Sequence, residues 1–388
     1  MLSLQDRNWL AFSVDEIFTV SRPPSRTKDD YEDGDVPFIA SGASGNGVAK
    51  FCKPKKGEQL EAPGCISVSP VDGSCFYQPI SFLGRGGGGS SIMLLRSDVL
   101  NSYTGVFIAR MLTQTLGAKY TYGRMGNSKT ILREQLLLPV DMLGEPDWKF
   151  MEDYIREREA AQAERCREFL MKRIADIERE RVTDADNCLT PLAEKIWRSY
   201  RLSSIGVIQS GRDIYASDRK AGDTPYITSG SQNNGIGYFV ANINDTFDSG
   251  YIALNRNGAV GMAFYHPYPS LMGNDCRKLH VKAADGNPYV GNFIALAISK
   301  QSECFSYSRK LGTARAQALR IMLPAADDGQ PDYAYMEDYG RNITLGLLKK
   351  QLAYITEQEN LQPDSNAQNF ITSVGVNGNT ATPNLNMN

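Results

Sequence analysis

Two short loops carry side chains suited to hydrogen bonding at a surface. Residues 36–48 read VPFIASGASGNGV and residues 224–236 read TPYITSGSQNNGI. Ser41, Ser44 and Asn46 in the first, and Ser229, Ser231, Gln232, Asn233 and Asn234 in the second, are short donors and acceptors on a backbone made compact by glycine. Such groups can bond phosphate oxygens or base edges. The same composition also builds tight turns between strands, and the two uses are compatible. Further along come Tyr122-Gly123-Arg124-Met125-Gly126-Asn127-Ser128-Lys129 and Tyr307-Ser308-Arg309-Lys310-Leu311-Gly312-Thr313-Ala314-Arg315. Basic residues interleaved with an aromatic ring, glycine and hydroxyls suit a phosphate clamp with an arginine available for guanine. A solvated basic loop is the plainer alternative. Arg85 in a glycine run, Arg256 in NRNGAVG and Arg277-Lys278 in GNDCRKL complete the set of candidates.

Other motifs stop short of catalysis. Residues 84–89 match G-x-G-x-x-G in form, but SSIMLLR follows, which reads as a strand. A dinucleotide fingerprint needs a helix there to hold the pyrophosphate. Asn287-Pro288-Tyr289 resembles part of an adenine-methyltransferase site, lacks its second proline, and reads as a helix entry. Asp218-Arg219-Lys220 and Asp147-Trp148-Lys149 are each half of a nuclease D-x-K signature without the upstream Pro-Asp. The only histidines are His266 and His280, with no acid, base or nucleophile set around them, which disfavours a histidine-based metal site. Seven cysteines are scattered with no C-x-x-C pair, as expected of reduced thiols in a cytoplasmic protein.

The elements that must position these loops occur twice. Pro37 and Pro225, Ser41-Gly42 and Ser229-Gly230, and Asn46-Gly47 and Asn234-Gly235 share an offset of 188 residues, as do Trp9…Phe12…Ile17 and Trp197…Tyr200…Ile205. A second anchor, LLLPVDMLGEPDWKFMEDY against IMLPAADDGQPDYAYMEDY, repeats at an offset of 185. Each half therefore runs entry strand, glycine-rich body, Leu-Pro exit and helix. VPFIAS, GCISVS, SIMLLR, PYITSG, GYFV and YIALNR read as strands, and residues 104–116 and 288–300 as equivalent helices. Two longer helices follow, near 147–182 and 332–359, with apolar stripes expected at Cys166, Leu170, Ile174 and Ile177, and at Tyr339, Ile343, Leu347, Leu352 and Ile355. A charged helix with one apolar stripe needs a partner, and the simplest is the other helix, packed antiparallel. The stripes differ between repeats, Arg158 standing where Ile343 stands, so the pseudo-twofold is imperfect.

The 388 residues, 41% apolar and 22% charged, describe a globular chain of two or three domains. The net charge of −2 hides a split: residues 187–325 carry 15 basic and 9 acidic side chains, and residues 1–146 carry 15 of each. Local fields rather than the mean govern binding to a polyanion. No run approaches the ~20 apolar residues of a membrane span, so no membrane association is expected.

Two bodies with (V/T)-P-(F/Y)-I-x-S-G near the start and (L/M)-L-P near the end, each followed by a charged helix, resemble the specificity subunits of type I restriction-modification systems and their type IIB relatives. The resemblance covers about residues 1–360. It implies that the two bodies, which read as mixed α/β, are target recognition domains, 1–146 and 187–325, joined by two long antiparallel helices, 147–186 and 326–360. After about residue 360 the sequence turns rich in Asn, Gln and Ser, and a disordered tail is expected at 361–388. The resemblance further implies that the chain itself is not catalytic. Each domain would read half of an asymmetric, bipartite site on double-stranded DNA. The helices would dock two DNA adenine methyltransferase subunits and a restriction subunit or fused nuclease, with S-adenosylmethionine and Mg on those partners and none here. A two-module carbohydrate- or protein-binding adaptor, and a stand-alone nucleotide-utilising enzyme, are the competing readings.

Overall fold

The computed structural model describes residues 1–88, 90–180 and 189–360. The expected disordered tail, 361–388, lies outside the described residues. Two compact units result. One comprises Met1–Phe169 with the end of the last helix from Ala353; the other is Leu170–Leu352.

The first unit runs β1 (Asn8–Ser13), α1 (Val14–Ile17), β2 (Thr19–Ser21), β3 (Asp33–Ile39), β4 (Val48–Cys52), β5 (Cys65–Val68), β6 (Cys75–Gln78), β7 (Leu83–Gly84), β8 (Met93–Arg96), α2 (Ser102–Gly117), α3 (Ser128–Ile131), β9 (Gln135–Val140) and then α4 (Trp148–Glu180), which continues into the second unit. The entry and exit strands β1 and β9 pair antiparallel. Two further sheets have the orders β2-β8-β5-β6 and β4-β3-β7, with β3 and β7 parallel. On the four-stranded sheet Ile66, Val68, Met93 and Leu95 pack with Phe107, Ile108 and Leu112 of α2, while Cys65 and Leu94 pack with Ile39 and Phe82. Both faces are covered, which is why CISV and MLL are buried at every position instead of at alternate ones.

The second unit repeats this order: β10 (Trp197–Arg201), α5 (Leu202–Ile205), β11 (Val207–Ser210), β12 (Ala221–Ile227), β13 (Ile236–Val240), β14 (Tyr251–Asn255), β15 (Ala263–His266), β16 (Leu271–Met272), β17 (Cys276–His280), α6 (Pro288–Ser299), α7 (Thr313–Ala318), β18 (Arg320–Pro324) and α8 (Tyr333–Asn360). Its sheets are β10-β18, β11-β17-β14-β15 and β13-β12-β16, element for element those of the first unit. Pairings repeat as well: Ile66 faces Leu95 as Ile252 faces Leu279. The mixed α/β content expected from the sequence is present in each unit.

The Met-Glu-Asp-Tyr repeat acquires a physical role here. Met151 and Met336 are fully buried in the two main cores. Glu152 accepts from Asn101 Nδ2 at 3.3 Å and Glu337 from Asn287 Nδ2 at 2.7 Å, and those asparagines cap α2 and α6. Tyr154 meets Phe107 edge-on at 5.9 Å, and Tyr339 meets Phe293 in the same way at 5.9 Å. The tetrad thus clamps each long helix to its body. Asn287-Pro288-Tyr289 is the helix entry it was expected to be, with proline at the first helical position.

The apolar stripe of α8 differs from expectation at Ile343 and Leu347, while Leu352 packs as expected. Within the second unit Ile174 and Ile177 pack with Leu345, Leu348 and Leu352, whereas Ile343 and Leu347 are exposed. Lys349–Glu178 and Arg341–Glu180, at 2.6 and 3.9 Å, flank the seam in opposite order along the two helices. Steps of three and four residues fit Ile343–Leu347 as well as Leu345–Leu348–Leu352; only the partner selects the face. Among the described residues no helix is long and apolar enough to cross a membrane.

Candidate nucleic-acid interface

In both bodies the serine-rich loop is closed by the hydrogen bonds that make it a turn. Ala40 N–H donates to the Gly47 carbonyl at 2.9 Å and Thr228 N–H to the Gly235 carbonyl at 2.7 Å. Asn46 and Gly47 have φ of 55° and 75°, and Asn234 and Gly235 of 52° and 76°. The repeated Asn-Gly is therefore required by left-handed backbone, and Asn46 in addition points Nδ2 toward the Tyr77 carbonyl at 3.4 Å. Turn formation and polar display coexist: Ser44, Ser231, Gln232, Asn233 and Asn234 are exposed, and Ser41 and Ser229 half-buried.

In the first body these groups join a strip. Ser41 Oγ donates to the Ser90 carbonyl at 3.2 Å, and Arg85 N–H donates to the Ile39 carbonyl, leaving the Arg85 side chain exposed. Ser25 bridges Gly86, and the chain Arg22–Ser25 then leads to the second candidate segment, because Arg22 Nε donates to Ser128 Oγ at 2.8 Å. There Thr121 and Arg124 pair across a tight hairpin that holds Tyr122 82% exposed at its tip. Asn127 accepts from the Lys129 and Thr130 N–H groups and so caps α3; its Nδ2 and the Lys129 side chain face solvent. Arg22 was not singled out by sequence, since its partner lies 106 residues away.

The second body gathers its candidates more tightly. Ala259 N–H donates to the Ser229 carbonyl, and Asn255 Nδ2 to the Gly230 carbonyl at 2.9 Å, so the serine loop rests on the Arg256 loop. Arg256 Nη1 and Arg277 Nη1 both donate to the Asn274 carbonyl, at 3.2 and 2.8 Å. Arg277 Nε donates to Thr313 Oγ1 at 2.8 Å, which brings in the second hairpin. In that hairpin Ser306 pairs with Arg309, Tyr307 is 75% exposed, Lys310 lies over its ring at 4.4 Å, and Arg315 donates to the Lys310 carbonyl at 2.7 Å. Burial first, and then the charge of Arg256, pull the Arg277 guanidinium below its ordinary value.

Lys278 does not belong to this surface. Both it and Arg277 are buried, against the expectation of two surface contacts: successive strand residues face opposite ways, so Arg277, 7% exposed, turns to Thr313, and Lys278, 3% exposed, turns the other way. Its Nζ donates to the Thr246 carbonyl and to Asp248, both at 2.9 Å. Burial pushes the Asp248 carboxyl up, but the hydrogen bonds from Lys278 and His280 outweigh it and hold the group below the usual range. The expectation of Lys278 as a surface contact is corrected: it is an internal cation, fully engaged. Residues 84–88 lead into β8, as expected of a turn rather than a dinucleotide loop. Among the described residues no group of three or more His, Cys, Asp or Glu is placed to hold a metal.

Comparison with known proteins places this arrangement. Residues 194–357 match the family model of the type I restriction modification DNA specificity domain. Over 240 residues the chain is 30% identical to the specificity subunit S.BcgI of a type II restriction enzyme from Heyndrickxia coagulans, a match covering 62% of this chain and 65% of that relative's length. Among solved structures, the S subunit of a type I restriction-modification system from M. genitalium aligns over 96% of both chains at 14% identity and a TM-score of 0.49. The HsdS subunit from Thermoanaerobacter tengcongensis aligns over 94% of this chain and 95% of that one at 13% identity and a TM-score of 0.30. Residues 194–357, the second body with most of its long helix, are thus similar to type I restriction-modification DNA specificity domains.

Proposed function

We propose that the chain is the non-catalytic DNA-specificity subunit of a restriction-modification complex, each body reading one half of an asymmetric, bipartite duplex site. One observation carries this reading: the first body repeats, element for element, a second body that matches a DNA specificity domain. In each, a polar loop and an exposed tyrosine hairpin with basic neighbours occupy corresponding places. Exposed Ser, Asn and Gln groups suit base edges, and Arg124, Lys129, Arg309, Lys310 and Arg315 suit phosphates or guanine. The bodies differ in these segments, so the half-sites differ.

The long helices serve in this reading as an antiparallel coiled-coil spacer. The seam of Ile174 and Ile177 against Leu345, Leu348 and Leu352 supports it. Helix α4 has 33 residues, about 50 Å at the ~1.5 Å rise of an α-helix, enough to span one duplex turn of ~34–36 Å. The outer faces of the helices are the docking surface for two adenine methyltransferase subunits, with the restriction subunit or fused nuclease joining them. S-adenosylmethionine and Mg then reside on those partners.

Body exchange tests this reading. Replacing residues 1–140 with the first body of another member, then mapping methylated adenines in the host genome, should change one half of the methylated sequence and leave the other intact. Change in both halves, or in neither, would refute one body per half-site.

A further inference from the structure

Each body ties the hydroxyl following its exposed hairpin to a guanidinium, and the two guanidiniums come from different places, Arg22 just past β2 and Arg277 on β17. Ser128 and Thr313 hold the same place, the first residues of α3 and α7. Arg22 Nε donates to the first at 2.8 Å and Arg277 Nε to the second at 2.8 Å. The arginines are not counterparts. Ser21, the last paired residue of β2, faces Leu94 of β8, and Arg22 is the residue just beyond it. The corresponding residue of the second body is Ser210, which faces Arg277. The neighbouring strands give the same equivalence, Met93 facing Val68 as Arg277 faces Leu254. The arginine sits just past β2 in one body and on β17 in the other, while its hydroxyl partner is kept. A hydrogen bond inherited only as packing would keep its residues; a contact kept while its residue moves marks a demand on the guanidinium itself.

The charge balance points the same way. The buried cations Arg26 and Lys278 each meet carboxylates, Arg26 with Glu58 and Glu61 at 2.8 Å and Lys278 with Asp248 at 2.9 Å. Arg277, 7% exposed, is instead held by a hydroxyl and the carbonyls of Asn274 and Cys276, with Arg256 on the same Asn274 carbonyl. Arg22 is exposed and likewise bonds a hydroxyl. Among the described residues neither Arg22 nor Arg277 forms an ion pair with a carboxylate. Asp275 attracts Arg277 but closes no ion pair with it, and burial and Arg256 outweigh that attraction; guanidinium geometry matches phosphate oxygens in pairs.

We propose that Arg22 and Arg277 are equivalent backbone-phosphate anchors, one per body, each fixing its hairpin through Ser128 or Thr313 while offering its remaining N–H groups to a duplex phosphate. The proposal rests on the DNA-recognition reading above. Phosphate contacts set the register of a protein on the duplex without reading sequence, so these anchors would place both reading loops.

The test is the salt dependence of binding by the full chain to a duplex bearing its mapped site and to a scrambled duplex. Arg22→Met and Arg277→Met, the latter installing the first body's residue, should each lower the slope of log K against log salt by about 0.9, equally on both duplexes. Ser210→Arg combined with Arg277→Met, which rebuilds the first body's arrangement, should restore the slope. An unchanged slope in folded Arg22→Met protein overturns the proposal. So does a loss confined to the mapped site, or a double variant that stays at the Arg277→Met value. Should Arg277→Met fail to fold, the exposed Arg22 decides alone. A wild-type chain that binds neither duplex would defeat the DNA-recognition reading itself, a distinct outcome.

Discussion

Arg277 and Lys278 are adjacent in sequence, both buried, and face opposite ways, one toward Thr313 beside the candidate interface and one toward Asp248. Nothing in a dipeptide states which way a strand turns its side chains; the register of β17 against β14 does. A second internal group yields a pH prediction. His266 is fully buried, its Nδ1 near Tyr268 Oη at 3.2 Å and its Nε2 unpartnered among the described residues. Burial lowers its pKa from 6.5 to about 4. Between those values the unfolded chain binds the proton and the folded chain does not, so stability falls as pH drops through that window. The loss should be on the order of 3 kcal/mol. His266→Gln, which installs the residue the first body holds at this rung as Gln78, should flatten the acid limb of a denaturation midpoint plotted against pH. An unaltered limb would place the acid sensitivity elsewhere, with Asp248 the first alternative.

At the scale of elements, the strands and the helices α2 and α6 were legible because their apolar runs and glycine or asparagine boundaries are local signals. The seam of α8 was not, since two stripes satisfy the same spacing. Ile177→Ala or Leu345→Ala should destabilise the second unit by about 2–4 kcal/mol, while Ile343→Ala or Leu347→Ala should change it by less than about 0.5 kcal/mol. Urea unfolding of the full chain distinguishes the two stripes. If the second pair proved as costly as the first, the seam would lie where the spacing alone suggested. The Met-Glu-Asp-Tyr tetrad shows the converse: its repetition was visible, but its role, one methionine in the core, one carboxylate on a helix cap and one ring on a phenylalanine, needed coordinates.

At the scale of the whole molecule, duplication sets the expectation for assembly. The second unit's seam covers one stripe of each helix and leaves the charged faces of α4 and α8 outward, the surfaces proposed for partners. Native mass spectrometry of the complex purified from its host should return two methyltransferase chains for each copy of this one. A ratio of one would mean that only one pseudo-equivalent surface is used.

What the amino-acid sequence determined by itself was the repeat, the order of elements within it and the loop segments rich in donors and cations, because these depend on residue type and on separations of a few residues. Tertiary structure decided which of those donors reach a surface, which stripe of a helix is buried, and that Arg22 and Arg277 serve corresponding hydroxyls from different places in the fold. Those outcomes depend on pairing across 106 residues in one body and 36 in the other. Such pairing follows from how sheets and helices close on one another, and no local pattern encodes it.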